Sequence, residues 1–246
     1  MDEIKVIDVS KHNGIINFDT VKKDGYNCVV MRAGYGRLES QKDPTFENNY
    51  RNAKAAGLKV GTYWYSYAVT ADEAKLEAEV FLKIIKGKQF ELPVYLDIEE
   101  DKQVKLGKNV CSAMINSFCQ TMEKAGYFVG IYTFDSFYKT NIDDETAKRY
   151  TCWVARLGSR PTFCKKYDTW QYSWKGKVKG INTDVDLSYM YKDFEPIIKK
   201  AKLNGFGEKV KTYNLTATIS DIIIEKADAI KKICEQQGMK VTITEK

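Results

Sequence analysis

Three stretches of this chain echo one another at a spacing that fits a repeated helix-to-strand unit. Gly57-Leu-Lys-Val-Gly61-Thr-Tyr63 and Gly126-Tyr-Phe-Val-Gly130-Ile-Tyr132 place glycine, glycine and tyrosine at identical offsets, and Gly25-Tyr-Asn-Cys-Val begins the same way. Each leading glycine closes a segment of helical period and opens a short apolar run, the pattern of a helix stop followed by a buried strand. Units of this kind bury their apolar faces by laying strands side by side under a layer of helices, which predicts an α/β chain built as a βα barrel. With 246 residues there is room for one large domain plus a small appendage, or for two modest domains.

The elements follow in order. Residues 4–9 read as a short strand, 17–24 as a helix and 26–32 as a buried strand ending at Arg32. Asp43-Pro44 has the form of a helix start, and Phe46, Tyr50 and Ala53 make its apolar stripe. A tyrosine-rich strand is expected over 59–68, and Thr70-Ala-Asp-Glu73 is a capping box opening a helix to Ile85. A strand from Leu92, a helix over 109–125 and a strand over 128–133 complete the regular part. Beyond residue 134 strand-like pieces at 152–156, 168–173 and 184–190 are separated by segments with little helical period, so the barrel is expected to finish on strands and loops.

Within this pattern the stretch Leu92-Pro-Val-Tyr-Leu-Asp-Ile-Glu-Glu100 is an apolar run that ends in acid. Alternation along a strand turns Val94, Leu96 and Ile98 one way and Tyr95, Asp97 and Glu99 the other. At about 3.3 Å per residue the Cα atoms of Asp97 and Glu99 lie roughly 6.6 Å apart, close enough for each carboxylate to raise the other's proton affinity. One of them can then remain protonated near neutral pH and act as a general acid. Asp8 also stands where a strand gives out, and active sites of βα barrels lie at that end. Asp186 adds a fourth carboxylate, adjacent to Asp8 if the last strand closes against the first.

Other chemistries find little support. His12 is the single histidine, so a zinc protease or a Ser-His-Asp or Cys-His enzyme would have to be built around it, and no catalytic role is assigned to it. The net charge of +6 suits anionic partners such as the polymers of a bacterial wall, yet no long basic run, zinc-finger spacing or glycine-rich phosphate loop directs the chain to nucleic acid. No metal or cofactor is expected. The cysteines Cys28, Cys111, Cys119, Cys152, Cys164 and Cys234 form no CxxC pair and read as reduced, packed thiols. The chain shows neither a charged-then-apolar leader nor an apolar run approaching 18 residues. Cytoplasmic synthesis without membrane insertion is therefore expected, with release by another agent if the target lies outside.

Together these residues resemble glycoside hydrolase family 25, the lysozymes of bacteriophages, bacteria and some fungi. Asp8-Val-Ser-Lys-His-Asn-Gly resembles the family's opening DVS-x-x-x-G, Gly61-Thr-Tyr63-Trp-Tyr65 its GxYHF strand, Leu96-Asp97-Ile-Glu99 its central DxE and Val185-Asp186-Leu-Ser188 its closing VDLN. The motifs stand in the right order over residues 4–195, with Trp64 where histidine is frequent and Ser188 where asparagine is. The resemblance implies an irregular TIM-like (β/α)5(β)3 barrel and hydrolysis of the β-1,4 bond between N-acetylmuramic acid and N-acetylglucosamine in peptidoglycan. It implies Glu99 as the general acid, Asp97 as the group that orients the substrate's acetamido function, and Asp8 and Asp186 as supporting carboxylates. The phage or prophage endolysin is the type expected. The alternatives are a barrel that binds wall glycan without cleaving it and a hexosaminidase acting on chitin. A retaining, inverting or substrate-assisted course is left open, since the carboxylate spacing falls between the ranges of the first two.

Tyr63, Tyr65, Tyr132, Trp153 and Gln171 are the candidates for the sugar groove. Arg32 is expected to pair with one of the acids rather than to meet the muramic lactyl carboxylate, because an unpaired buried charge is costly. The catalytic barrel is placed at 1–198, a linker at 199–208 and a small βαβ domain at 209–246. In that domain Ser220 caps a helix striped by Ile223, Ala227, Ile230 and Cys234, between strands at 210–219 and 240–244. A unit of about 40 residues seldom folds alone, so it is expected to dock or to form a homodimer. Cell-wall binding is its first expected role and oligomerisation its second.

Overall fold

A computed structural model describes residues 3–164, 166–207 and 224–236. Eight strands, β1 (Ile4–Val9), β2 (Cys28–Tyr35), β3 (Lys59–Tyr65), β4 (Val94–Asp97), β5 (Val129–Phe134), β6 (Thr151–Ala155), β7 (Thr169–Gly176) and β8 (Val185–Met190), close a barrel in chain order. Neighbours from β1 to β7 are parallel, whereas β8 runs antiparallel to both β7 and β1. Closure leaves no sheet edge exposed to pair with another chain.

Helices follow the first five strands: α1 (Phe18–Lys23), α2 (Phe46–Ala55), α3 (Ala71–Ile85), the pair α4 (Asp101–Val104) and α5 (Gly107–Lys124), and the pair α6 (Asp135–Asn141) and α7 (Asp144–Arg149). Local chemistry sets their starts. The Asn17 carboxamide accepts from the Thr20 amide at 3.0 Å to cap α1, and the Thr70 hydroxyl does the same for the Glu73 amide at 3.2 Å to cap α3. α8 (Glu195–Lys200) follows β8 and α9 (Ile224–Gln236) lies further on. No helix among the described residues is long and apolar enough to cross a membrane.

Strand alternation divides the core in two. Ile7, Val9, Val94, Leu96 and Ile98 face the helices and pack with Phe81, Phe118 and Met122, while Val6, Tyr95, Tyr132 and Trp153 fill the barrel interior. The echoed glycines have separate jobs. Gly57 and Gly126 take φ of +72° and +85° just past their helices, where a side chain would be strained. At Gly130 a Cβ would lie 2.7 Å from Cε1 of Tyr95, so glycine lets that ring lie across the barrel.

Several boundaries depart from expectation. Residues 135–149 fold as α6 and α7, with Phe137 and Ile142 buried and Asp143 capping α7 through the Thr146 amide at 2.7 Å. Helices of 7 and 6 residues hold too few turns to show a period. β2 continues past Arg32 to Tyr35 through a register irregularity between Arg32 and Gly34, and β3 stops at Tyr65. Asp43 does not cap α2, because its carboxylate receives the Lys11 amide, Arg32 and Thr45.

The expected linker over 199–208 is packed through residue 207. Asn204 is buried at the N-terminal ends of β4 and β5, where its side chain accepts from the Phe128 amide at 2.7 Å and donates to the carbonyls of Phe90 (3.2 Å) and Leu92 (2.9 Å). The chain divides instead into two compact units, Met1–Lys209 and Val210–Lys246. In the second, α9 is described; the strands expected at 210–219 and 240–244 and the cap at Ser220 lie outside the described residues. Cys28, Cys111, Cys119, Cys152 and Cys164 are free and buried, the last two with sulfurs 3.4 Å apart.

Candidate active site

The barrel brings four acids from three separate strands to one mouth. Asp8 and Asp186 are register partners across the antiparallel β1–β8 pair, and Asp97 is the last residue of β4, beside Tyr65 on β3 and Tyr132 on β5. β4 ends at Asp97, yet alternation persists beyond it. The Ile98 amide donates to the Tyr132 carbonyl at 3.1 Å and the Thr133 hydroxyl to the Ile98 carbonyl at 2.6 Å, which turns Ile98 into the outer core and Glu99 into the mouth. Asp8, Arg32, Tyr63, Tyr65, Asp97, Glu99, Tyr132, Trp153 and Asp186 all line one cleft of about 280 Å³, joined by Ser10, His12, Asn13 and Asp184.

Burial is the main electrostatic fact here. It pushes Asp8 and Asp97 well above the usual carboxylate range, and neighbouring acids, Asp186 for the first and Glu99 for the second, push them further. Asp186 is also raised by burial, partly offset by its hydrogen bond with Asp8. Glu99 is pushed up to about 7, first by burial and then by the charges of Glu100 and Asp186. Four acids so placed titrate as a set, and burial with mutual repulsion shifts proton loss from the set toward higher pH. Asp97 Oδ1 is buried and has no hydrogen-bond partner among the described residues. A buried acceptor left open in this way is costly unless a ligand donor meets it.

Around the acids stands an aromatic wall. The Trp153 ring lies 4.5 Å from Tyr132, 5.2 Å from Tyr95 and 6.4 Å from Tyr63, edge-on in each case, with its Nε1 donating to Ser188 Oγ at 3.1 Å. The Tyr65 hydroxyl donates to Glu100 Oε1 at 2.6 Å. Gln171, expected in the sugar groove, is buried beneath the cleft instead and is absent from its lining. Its Nε2 donates to Asp8 Oδ2 at 3.0 Å and Asp186 Oδ2 at 3.5 Å, and its Oε1 accepts from Tyr132 Oη at 2.8 Å and Trp174 Nε1 at 2.9 Å. Both ends of the amide are used, so it orients carboxylates and leaves no group free for a sugar.

Arg32 is paired, but not with one of the four acids. Its Nε donates to Asp43 Oδ2 at 2.8 Å and its Nη2 lies 2.8 Å from the same oxygen. Burial would raise Asp43, yet hydrogen bonds from Thr45, the Lys11 amide and Arg32 hold it below the usual range. Trp64, at the position where the resemblance led to histidine, faces away from the cleft: its ring stacks on Phe81 at 5.3 Å and its Nε1 donates to the Gly36 carbonyl at 3.0 Å. Sequence reasoning missed Asp43 and Glu100 as neighbours of the site. The adjacent Glu99-Glu100 pair was visible as a signal, whereas the Arg32–Asp43 contact arises only when the loop after β2 folds back.

Comparison with known proteins agrees with this geometry. The family model described as glycosyl hydrolases family 25 matches residues 7–181. The autolytic lysozyme of Clostridium acetobutylicum is 33% identical over 187 residues, covering 75% of this chain and 55% of the relative, so the chain spans little more than half of that protein. The crystal structure of the CTP1L endolysin is similar at a TM-score of 0.66 and 28% identity, over 80% of this chain and 69% of that one. The bacterial lysozyme of Streptomyces coelicolor gives a TM-score of 0.66 and 26% identity over 84% of this chain and 99% of that one. With the motif order, the closed barrel and its cluster of acids, the match over residues 7–181 places the chain in glycosyl hydrolases family 25.

Proposed function

We propose that the chain hydrolyses the β-1,4 bond between N-acetylmuramic acid and N-acetylglucosamine in peptidoglycan, in the manner of an endolysin. The observation that carries this reading is Glu99, an acid pushed up to about 7 at the mouth of a barrel among three further carboxylates. Such a group holds a proton at neutral pH and can still give it up.

In this reading Glu99 donates its proton to the bridging oxygen as the bond from that oxygen to the sugar's C1 breaks. Positive charge gathers on C1 and its ring oxygen, and the neighbouring carboxylates lower its energy from fixed positions around the cleft. The open Asp97 Oδ1 suits an N–H donor, and the substrate's acetamido group supplies one. Water then adds hydroxyl to C1 and its remaining proton returns to Glu99, which restores the enzyme. Gln171 holds Asp8 and Asp186 in place, and Tyr63, Tyr132 and Trp153 provide the apolar wall on which a sugar ring rests. Residues 209–246 are assigned to wall binding, with homodimer formation as the second assignment.

The test is reducing-end release from purified peptidoglycan by the full chain and by Glu99→Gln, with the new end identified by borohydride reduction and mass spectrometry. New muramic acid ends, and a variant slowed by about 10²-fold or more, are expected. Release from chitin but not from peptidoglycan would identify a different hexosaminidase, and no release from any wall would leave a glycan-binding barrel.

A further inference from the structure

Beside the acid cleft lies a second recess, also of about 280 Å³, lined by Lys11, His12, Arg32, Tyr35, Tyr65 and Tyr67. It shares His12, Arg32 and Tyr65 with the first cleft, so the two adjoin. Their charge is opposite. Asp8, Asp97, Glu99, Asp184 and Asp186 line the first, whereas no carboxylate lines the second.

The Lys11 ammonium of the second recess remains available to a ligand. Among the described residues no carboxylate pairs with the side chain of Lys11 or His12, and both are exposed. Arg32 is held from behind by Asp43, which is not part of the lining. A further cation, Lys102 Nζ, sits 5.8 Å from the centre of the Tyr67 ring. The opposite wall is aromatic: Tyr67, 43% exposed, lies 5.8 Å from Tyr35 and 5.1 Å from Tyr65. The Glu77 carboxylate accepts the Tyr67 amide at 2.9 Å, and Gln103 Nε2 donates to the carbonyls of Ser66 and Ala68 at 3.1 and 3.0 Å, so the loop carrying this wall is fastened from below.

A wholly anionic ligand would be repelled by the acid cleft, and a neutral glycan would gain nothing from the cations. A sugar chain that is neutral where it is cut, and carries carboxylates on a side arm next to that bond, is complementary to both. We propose that the recess of Lys11, His12, Arg32, Tyr35 and Tyr67 receives the carboxylate-bearing lactyl and peptide arm of a muramoyl unit while the sugar ring lies over the acids. This rests on the peptidoglycan reading and adds to it the source of selectivity for a muramoyl over an N-acetylglucosaminyl unit. Aliphatic and amide parts of the arm lie against the tyrosines, and its carboxylates meet Lys11.

Two arms test this in the full-length chain. In the binding arm, Glu99→Gln is titrated with a disaccharide-peptide cut from peptidoglycan, with its carboxyl groups free or amidated. Amidation is expected to weaken binding by about fivefold, the scale of one exposed ion pair, and the preference is expected to fade as salt is raised. Adding Lys11→Glu is expected to cost at least about fivefold more on the free-carboxyl ligand than on the amidated one, and Lys11→Arg to restore the preference. Equal affinity for the two ligands, or an equal loss on both from Lys11→Glu, overturns the proposal. In the cleavage arm, the wild type is given peptidoglycan with free or amidated carboxyl groups, and a higher KM on the amidated polymer is expected. A carboxylate preference in binding with no cleavage of either polymer would sink the hydrolase reading and leave the recess standing; cleavage of both at one KM would do the reverse.

Discussion

Replacing Glu100 by Gln removes a charge beside the proton donor while keeping a carbonyl oxygen to accept the Tyr65 hydroxyl, now 2.6 Å from Glu100 Oε1. Glu100 is the largest charge contribution to Glu99 after burial, and it raises Glu99. For two carboxylates about 7 Å apart, an effective dielectric between about 80 and 20 gives about 0.6 to 2.4 kcal/mol, or about 0.4 to 1.7 pK units. The sign follows from the chemistry. Removing a neighbouring negative charge makes the ionised form of Glu99 easier to reach, so its pKa falls and the proton is lost at lower pH. The acid must be protonated to act, so kcat/KM of the wild type is expected to decline through about pH 7, where Glu99 titrates. In Glu100→Gln that basic limb moves toward acid by about one unit, which at pH 8 lowers the rate by about tenfold. The assay is initial release of reducing ends from solubilised peptidoglycan between pH 5 and 9, read as kcat/KM because that ratio reports the free enzyme. A basic limb that stays in place in the variant, or a wild type with no limb between about pH 6 and 8, would refute the assignment of Glu99 as an acid tuned by its neighbour.

Two further outcomes concern the frame. Asn204 has φ of +54°, a conformation that glycine adopts without strain, so Asn204→Gly isolates the loss of its side-chain bonds to Phe128, Phe90 and Leu92. Three buried hydrogen bonds at about 1 kcal/mol each, with about 2 to 4 °C per kcal/mol at this size, predict a Tm lower by about 6 to 12 °C by calorimetry; a fall under about 2 °C would show that the base of the barrel does not depend on this residue. A chain ending at Lys209 keeps Asn204 and is expected to cut soluble glycan normally while sedimenting less with whole walls, and undiminished sedimentation would rule out wall binding by residues 210–246.

Those features that depend on neighbours in sequence were legible without coordinates. The echo at Gly57 and Gly126 announced helix ends because a positive φ is a local requirement. Asp97 and Glu99 share a face because strand alternation is local, and it holds even beyond the end of β4 at Asp97. Asp8 met Asp186 as expected because closing the barrel leaves the last strand only one unpaired neighbour, β1. The short helices α6 and α7 escaped notice because so few turns show no period.

What the amino-acid order determined by itself was the barrel's repeating grammar and the four acids at its mouth, since side-chain period and turn chemistry are properties of adjacent residues. What only the tertiary structure decided was which distant groups touch. Arg32 found Asp43, Gln171 went under the cleft to hold Asp8 and Asp186, and residues 199–207 packed at the foot of the barrel around Asn204 instead of running free. Each of these satisfies a buried charge or polar group. A sequence shows that such a group needs a partner, but the folded arrangement selects among the many residues chemically able to supply one.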